Sequence, residues 1–355
     1  MRTISLHSTT TTILLLLTSS CLVNNVKGFS INNNNIRLVA RNHNIKEFNN
    51  VLPAENRRST TTALSSLPVV TTASSTIIPL STAAIASLVP SLLGYYKTEY
   101  GVSYAYGTAV ASIAWLVLQR LPSYGSIAAI HAASLLVYGI RLNLFLLYRE
   151  LFLPKFRKFR EKIEDKSKSK GGRPSRTPFI LGVAMLYFCL GIPIITTASS
   201  SSLSLTTIPF WSIDTVLFSK LNIVRFLIGT TWFGFVLAMI GDTTKSYMKA
   251  KEGEDHLVTG GIFCFLRHPN YTGEILGWTS NAVLSLLLGK PQFAVASIFG
   301  AMGINFVLLQ ATASLERKQK EKYGDDEKYQ TWIQRSWGGF TIHSKQKPEE
   351  GVESA

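Results

Sequence analysis

The chain has 355 residues, of which 46% are hydrophobic and 16% are charged, and its formal net charge is +15. An ordinary soluble domain is excluded, because such domains have about 25% charged residues and lack repeated apolar runs of about 20 residues. Nucleic acid is not an expected partner, because no recognition motif accompanies the positive charge.

The N-terminal residues resemble targeting sequences. Residues 1–28 contain Arg2, the apolar stretch Ile13–Leu17 and then small or polar residues, which is the pattern of a signal peptide. Residues 29–72 are rich in Asn, Ser, Thr and Arg, as transit peptides are. Together they resemble the bipartite presequences of algae with complex plastids and predict a plastid membrane. The alternative is a signal peptide followed by a disordered segment, with location in the endoplasmic reticulum or another endomembrane.

Residues 73–345 are predicted to form an all-α integral membrane domain, a polytopic bundle of about six or seven spanning helices, because only helices satisfy the backbone over such apolar runs. The candidate spans are Thr76–Tyr95, Val102–Leu118, Ile127–Tyr148, Phe179–Thr197, Ile223–Ile240, Ile275–Leu288 and Phe293–Ala313. Gly289, Lys290 and Pro291 predict a tight turn between the last two. The span at Ile275 is short and polar, so we expect it inside the bundle. Residues 346–355 are predicted to form a disordered tail.

The positive charge is concentrated in one segment between predicted spans. Arg149 to Arg176 contains eleven Lys/Arg against four Asp/Glu. A basic loop of this kind indicates the cytoplasm-like or stroma-like face and favours contact with anionic lipid head groups. Membrane lipids are therefore expected partners, whereas no protein partner is predicted.

The cysteines give no metal site and no disulfide framework. Cys21, Cys189 and Cys264 lie far apart in sequence, and no Cys/His set has the spacing of metal ligands. No metal is therefore expected.

Between residues 241 and 274 the chain becomes polar, and residues 267–274 carry the candidate chemistry. Pro269 favours the first turn of a helix, whose unpaired N–H groups and positive dipole end attract anions. Arg267 and His268 directly precede it, and a guanidinium can bind phosphate with two hydrogen bonds. The next polar side chains share one helix face: Asn270, Tyr271 and Glu274. The arrangement suits a phosphorylated nucleotide whose ribose and nicotinamide extend into the bundle.

Three motifs together resemble the signature of the steroid 5-alpha-reductase C-terminal-like family, whose wider relatives include sterol C14 and C7 reductases. They are Asp242-x-x-Lys245, Gly260-Gly261-Ile262-Phe263 and Arg-His-Pro-Asn-Tyr-x-Gly-Glu at 267–274. Two weaker elements are similar to other parts of that family: Tyr138-Gly139-Ile140-Arg141-Leu142, and Glu316 followed by Tyr323-Gly324 and Tyr329. The resemblance covers roughly residues 100–340.

The resemblance implies NADPH-dependent reduction of an activated carbon–carbon double bond in a lipid-like small molecule. Residues 241–274 would then form the main cofactor-binding segment. The cofactor-binding residues implied are Asp242, Lys245, Arg267, His268, Asn270, Tyr271 and Glu274, with Arg141 and Tyr323 as further candidates. A protein acid must also supply a proton.

The sequence departs from the family where that acid is expected. The steroid 5-alpha-reductases proper carry a Gln-Glu-Leu-Pro-Ser box with a substrate-binding glutamate, and the similar stretch here reads Gln119-Arg120-Leu121-Pro122-Ser123. An arginine in that position puts steroid-type recognition in doubt. Tyr124 and Tyr138 are the remaining candidates for the catalytic proton donor.

Other interpretations of these residues are open. Arg267 and His268 can meet lipid head groups, and Glu274 can be a structural partner of Arg141 or Lys245. Three tryptophans are predicted to be interfacial anchors: Trp278, Trp332 and Trp337.

Two other functions are also open. One is an S-adenosylmethionine-dependent methyltransferase similar to the isoprenylcysteine carboxyl type, which shares an Arg-His-Pro-x-Tyr-x-Gly element. Glu274, Asn270 and Asp242-x-x-Lys245 favour the reductase pattern over it. The other is a non-enzymatic membrane protein, such as a transporter or scaffold, because fold does not fix function.

Overall fold

The computed structural model describes residues 77–169, 171–200, 205–212 and 219–340. The predicted signal peptide, the transit-like segment and the C-terminal tail lie outside these residues. Their assignment therefore stays a prediction.

The described residues form an all-α bundle, in agreement with the predicted fold class. The α-helices in chain order are α1 (Leu80–Ser91), α2 (Leu93–Tyr96), α3 (Thr98–Val102), α4 (Tyr104–Leu118), α5 (Ile127–Phe152), α6 (Pro154–Lys168), α7 (Thr177–Ser199), α8 (Lys220–Glu252), α9 (Pro269–Leu288), α10 (Pro291–Tyr323) and α11 (Glu327–Arg335). Short 3-10 turns occur at Arg173–Arg176 and Gly261–Cys264. Extended pairing in the described ranges consists of two isolated bridges.

Within the described ranges, five helical segments are long and apolar enough to cross a membrane, so the protein is an integral membrane protein. They are Thr98–Leu118, Ile127–Phe152, Arg173–Ser199, Lys220–Glu252 and Pro291–Tyr323. Two further predicted spans correspond to apolar helices outside this set. The first predicted span is the shorter apolar segment Leu80–Tyr96. The sixth lies in α9, whose buried side chains include Ile275, Trp278 and Asn281, as expected for a helix inside the bundle.

Local sequence explains where the helices begin. The hydroxyl of Ser126 accepts a hydrogen bond from the amide of Ala129, and Ser219 caps α8 in the same way. Pro269 and Pro291 stand in the first turns of α9 and α10, where a missing N–H costs nothing. Gly289 and Lys290 connect these two helices, so the predicted tight turn is confirmed.

Glycines bring α8 and α9 into backbone contact. A Cβ added at Gly273 would lie 2.6 Å from the backbone nitrogen of Ala238, and one at Gly241 would lie 2.7 Å from the backbone nitrogen of Asn270. Small residues allow such close approach of helices in membranes. This contact fixes the start of α9 beside residues 241 and 242.

The segment Arg149–Arg176 is not a loop throughout, because most of it forms α6. The guanidinium of Arg160 is 4% exposed, and its Nε lies 2.7 Å from Oε2 of Glu99; it also pairs with Glu150. Glu164 accepts hydrogen bonds from the backbone N–H of Thr98 at 3.0 Å and from Arg176 at 2.8 Å. Helical phase places these side chains against the bundle and leaves most of the lysines of α6 exposed.

We call the end of the bundle that carries α6 the α6 end. Helices α5, α8 and α10 finish there, and α7 and α9 begin there. The opposite end holds residues 119–126 and 205–212, which are joined by hydrogen bonds such as that from Phe210 N to Gly125 O at 3.1 Å.

Candidate functional site

The site at the α6 end is built around the start of α9. Residues 253–268 leave the end of α8, turn at the 3-10 segment Gly261–Cys264 and enter α9 at Pro269. His268 occupies the N-cap position without a side-chain hydrogen bond to the helix. The first N–H groups of α9 therefore have no cap from this residue, and the positive end of the helix dipole points out of the bundle.

A cavity of about 180 Å³ lies at this point. Its polar lining comes from the end of α8, the 253–270 segment and the end of α10: Lys245, Lys249, Glu254, Asp255, His256, Arg267, His268, Asn270, Lys318, Gln319, Lys322 and Tyr323. Lysine and arginine outnumber the carboxylates in this set. The cavity is consequently suited to an anionic group.

Arg267 and His268 share one carboxylate beside the cavity. Nε of Arg267 and Nε2 of His268 lie 3.0 Å and 2.7 Å from Oε1 of Glu316. The Arg267 guanidinium also donates to the carbonyl of Ile333 at 3.2 Å. These contacts connect the start of α9 to α10, and His268 is only 1% exposed. Both side chains are therefore largely enclosed between α9 and α10.

A second set of contacts runs inward from the cavity. The amide Nδ2 of Asn270 donates to Oδ1 of Asp242 at 3.2 Å. Oδ2 of the same carboxylate accepts from Nη2 of Arg141 at 2.7 Å, and that nitrogen also donates to the carbonyl of Ala238 at 3.2 Å. The buried Nη1 of Arg141 has no hydrogen-bond partner among the described atoms. Three helices, α5, α8 and α9, therefore meet at one carboxylate.

Deeper in the bundle, the Glu274 carboxyl group lies near the Tyr138 hydroxyl. The Tyr138 hydroxyl lies 3.1 Å from that of Tyr106. Around them lies an aromatic cluster in which Tyr138 stacks on Phe235 with ring centroids 4.2 Å apart, and Trp278 is 0% exposed. Trp278 is thus a core residue, and its predicted role as an interfacial anchor is wrong.

Residues 323–340 pack over the 253–268 segment, and we call them the cap. Trp332 donates through Nε1 to the carbonyl of Phe263 at 2.6 Å, and Tyr323 donates to the carbonyl of Asp255 at 2.5 Å. The amide of Arg267 donates to the carbonyl of Trp337 at 2.9 Å. Trp332 is 6% exposed, so it too is a buried residue instead of an interfacial anchor.

The structure brings together most of the predicted site residues. Those that line the cavity are Lys245, Arg267, His268, Asn270 and Tyr323. Those that follow it inward are Asp242, Arg141, Glu274 and Tyr138. Tyr271 is half-buried in the first turn of α9, next to Asn270. Glu274 is absent from the cavity lining and lies one helical turn deeper than Asn270.

Tyr124, the other proton-donor candidate, lies apart from this group. It is 69% exposed, in the turn before α5. Tyr138 lies eleven residues along α5 from Ile127, which is about 17 Å at 1.5 Å per residue. The two tyrosines therefore occupy different levels of the bundle.

Sequence reasoning missed the basic residues that complete the cavity. Lys249, Lys318 and Lys322 line it, and none of the three is among the predicted site residues. The last two stand near the end of α10, which continues to Tyr323. A signal was present, because Lys245 and Lys249, like Lys318 and Lys322, are four residues apart and share a helix face. That spacing does not show that the lysine-bearing faces of α8 and α10 meet at one cavity.

Comparison with known proteins gives one assignment. A family model described as "Protein of unknown function (DUF1295)" matches residues 94–336. Neither the curated proteins nor the solved structures contain a match. The matched region covers α3 to α11, and the chain belongs to the DUF1295 family.

Proposed function

We propose that the protein is a membrane-bound oxidoreductase that reduces a carbon–carbon double bond of a lipid-like substrate with NADPH, similar to the steroid 5-alpha-reductases. One observation supports this proposal above others. A basic cavity at a helix start lies beside the contacts between Asn270, Asp242 and Arg141. Glu274 and Tyr138 follow about one helical turn deeper, in an aromatic core.

The residues at the cavity fit the charged part of a dinucleotide. The lysines, Arg267 and the start of α9 match phosphate groups. A volume of about 180 Å³ is smaller than the roughly 300–1,000 Å³ of pockets for drug-sized ligands. The cavity is large enough for a phosphate-bearing portion of the cofactor. The rest of the cofactor would have to extend from the cavity into the bundle, past Asn270. The unpartnered Nη1 of Arg141 is a donor available on that side.

The proposed chemistry divides between cofactor and protein. Bound NADPH supplies the hydride, and the protein supplies the proton that completes addition across the double bond. We assign the proton to the Tyr138 hydroxyl, because it is buried, lies 3.1 Å from the Tyr106 hydroxyl and near the Glu274 carboxyl group, and is surrounded by apolar rings. The apolar surroundings at bilayer depth suit a substrate that dissolves in lipid.

Ligand titration of the full chain in lipid nanodiscs tests the proposal. We expect NADPH to bind and S-adenosylmethionine not to bind. Lys318→Ala with Lys322→Ala should weaken NADPH binding by about tenfold or more, since each lost charge-assisted contact is worth about 1.5 kcal/mol or more. Lys320→Ala is the matched control, because this exposed lysine on the same helix is not part of the cavity lining.

Other titration results would overturn the proposal. Binding of S-adenosylmethionine alone would favour the methyltransferase alternative. Binding of neither ligand would favour a non-enzymatic role. If the double variant and the control lost NADPH affinity equally, the cavity would not be part of the binding site.

A further inference from the structure

Three exposed aromatic side chains lie together where the cap meets the segment beneath it. Phe265 is 76% exposed, Trp337 57% and Phe340 43%. The rings of Trp337 and Phe340 contact each other edge to face, with centroids 5.7 Å apart. The amide of Trp337 donates to the carbonyl of Phe265 at 2.9 Å, so all three residues lie together. We call them the aromatic patch.

The patch lies on the side of α9 that reaches the lipid. A Cβ added at Gly339 would press on the Thr272 side chain, so the chain between Trp337 and Phe340 covers Thr272. Thr279 and Leu286 follow at seven-residue intervals and therefore share the face of Thr272. Both are exposed, and an exposed side chain on this part of a membrane bundle faces hydrocarbon.

The patch also lies at the level where the membrane ends. The apolar part of α8 finishes at Ile240, and Gly241 contacts the backbone of Asn270 in the first turn of α9. Phe265 precedes this turn by a few residues. Arg335, which is exposed, stands two residues before Trp337. Aromatic rings next to a cationic side chain are typical of the boundary between lipid head groups and acyl chains.

We infer that the aromatic patch inserts into the head-group region of the bilayer and holds the cap against the membrane. The patch is connected to the cavity by backbone contacts with Arg267. The carbonyl of Trp337 accepts from the amide of Arg267, and Gly338 lies against the Arg267 guanidinium. The bilayer therefore helps to position a residue of the basic cavity. The inference is independent of which ligand the cavity binds.

A fluorescent probe at residue 340 tests the insertion. Phe340→Cys is labelled with an environment-sensitive dye in the full chain that also carries Cys21→Ser and Cys264→Ser, because Cys264 is exposed whereas Cys189 is buried. Gln334→Cys is the control, since Gln334 is exposed on α11. In nanodiscs, the probe at 340 should emit at shorter wavelength and lose intensity with lipids that carry a nitroxide near the glycerol. The probe at 334 should do neither.

A probe at 340 that behaves like the one at 334 would overturn the inference and leave the patch open to a protein partner. A second measurement uses a different readout. Trp337→Ser should accelerate hydrogen exchange at the amide of Arg267 in nanodiscs, whereas Trp211→Ser, at a 70% exposed tryptophan of the opposite end, should not. Unchanged exchange in Trp337→Ser would show that the bilayer does not position Arg267.

Discussion

Asp242 on α8 and Arg141 on α5 are 101 residues apart in sequence, and their side chains meet at 2.7 Å with 14% exposure each. The same carboxylate accepts from Asn270 on α9. A charge in this position is costly unless it is paired. The pair therefore holds together the three helices that carry the inner part of the candidate site.

Asp242→Ala should destabilise the protein strongly, because it leaves the Arg141 cation buried and unpaired and removes the partner of Asn270. Loss of one member of a buried pair costs about 3–5 kcal/mol. Thermal unfolding in detergent measures the effect. Lys251→Ala, at a 68% exposed lysine of the same helix, should leave the midpoint unchanged. The double variant Arg141→Leu with Asp242→Leu should recover part of the loss, and no recovery would argue against a direct coupling.

Gly273→Ala should separate α8 from α9. The added Cβ would meet the backbone of Ala238 at 2.6 Å, and backbone atoms cannot rotate away. Overpacking of this kind costs about 1–3 kcal/mol. Gly229→Ala on α8 is the control, because a Cβ there meets no atom within 4 Å. Equal unfolding midpoints for the two variants would show that the close contact is not important for stability.

Arg267→Ala tests which phosphate the arginine meets, if the cavity binds NADPH. Loss of a contact with the 2′-phosphate should weaken NADPH binding about tenfold or more and leave NADH binding nearly unchanged. Titration with both nucleotides in nanodiscs gives the ratio. Equal losses for the two nucleotides would assign Arg267 to the shared pyrophosphate instead.

Glu316→Gln is the companion variant. It removes the negative charge 3.0 Å from Arg267 but keeps an acceptor oxygen for Arg267 and His268. We expect stronger NADPH binding together with a lower unfolding midpoint, because the arginine loses a competing anion and α10 loses an ion pair. A decrease in both quantities would mean that Glu316 acts only by holding the structure together.

Glu164 should make the attachment of α6 depend on pH. Burial alone would raise the pKa of this carboxyl, but the Thr98 N–H and the Arg176 guanidinium outweigh it and hold the pKa below its ordinary value of 4.5. Because the folded pKa is depressed, the stabilisation is present above the unfolded pKa and is lost as pH falls through the folded pKa. The unfolding midpoints of wild type and Glu164→Gln should therefore differ at neutral pH and converge in acid. Glu161→Gln, at an exposed position of α6, should match wild type throughout.

Parts of the site were predictable because they are local. The order Arg267, His268, Pro269 and Asn270 specifies a helix start with a cation before it, and α9 begins there as expected. Spacing along one helix also relates Asn270 to Glu274. These relationships depend only on the geometry of a single turn.

Other parts depend on contacts between distant segments. The role of Trp332 as a buried donor to Phe263, and that of Glu316 as the shared partner of Arg267 and His268, require α10 and α11 to return to the start of α9. The burial of α9 also depends on such contacts, because most of this helix packs against its neighbours while Thr279 and Leu286 stay exposed.

The sequence by itself determined an all-α membrane protein, the helix that starts at Pro269 and the cations in front of it, because apolar run length and turn chemistry are properties of short segments. Only the tertiary structure decided that Arg141 and Asn270 both donate to the Asp242 carboxylate. It also decided that Tyr138 lies near Glu274, whereas Tyr124 lies elsewhere in the bundle. The physical reason is packing: the glycines of α8 and α9 set how closely the helices approach, and that distance determines which polar side chains can meet.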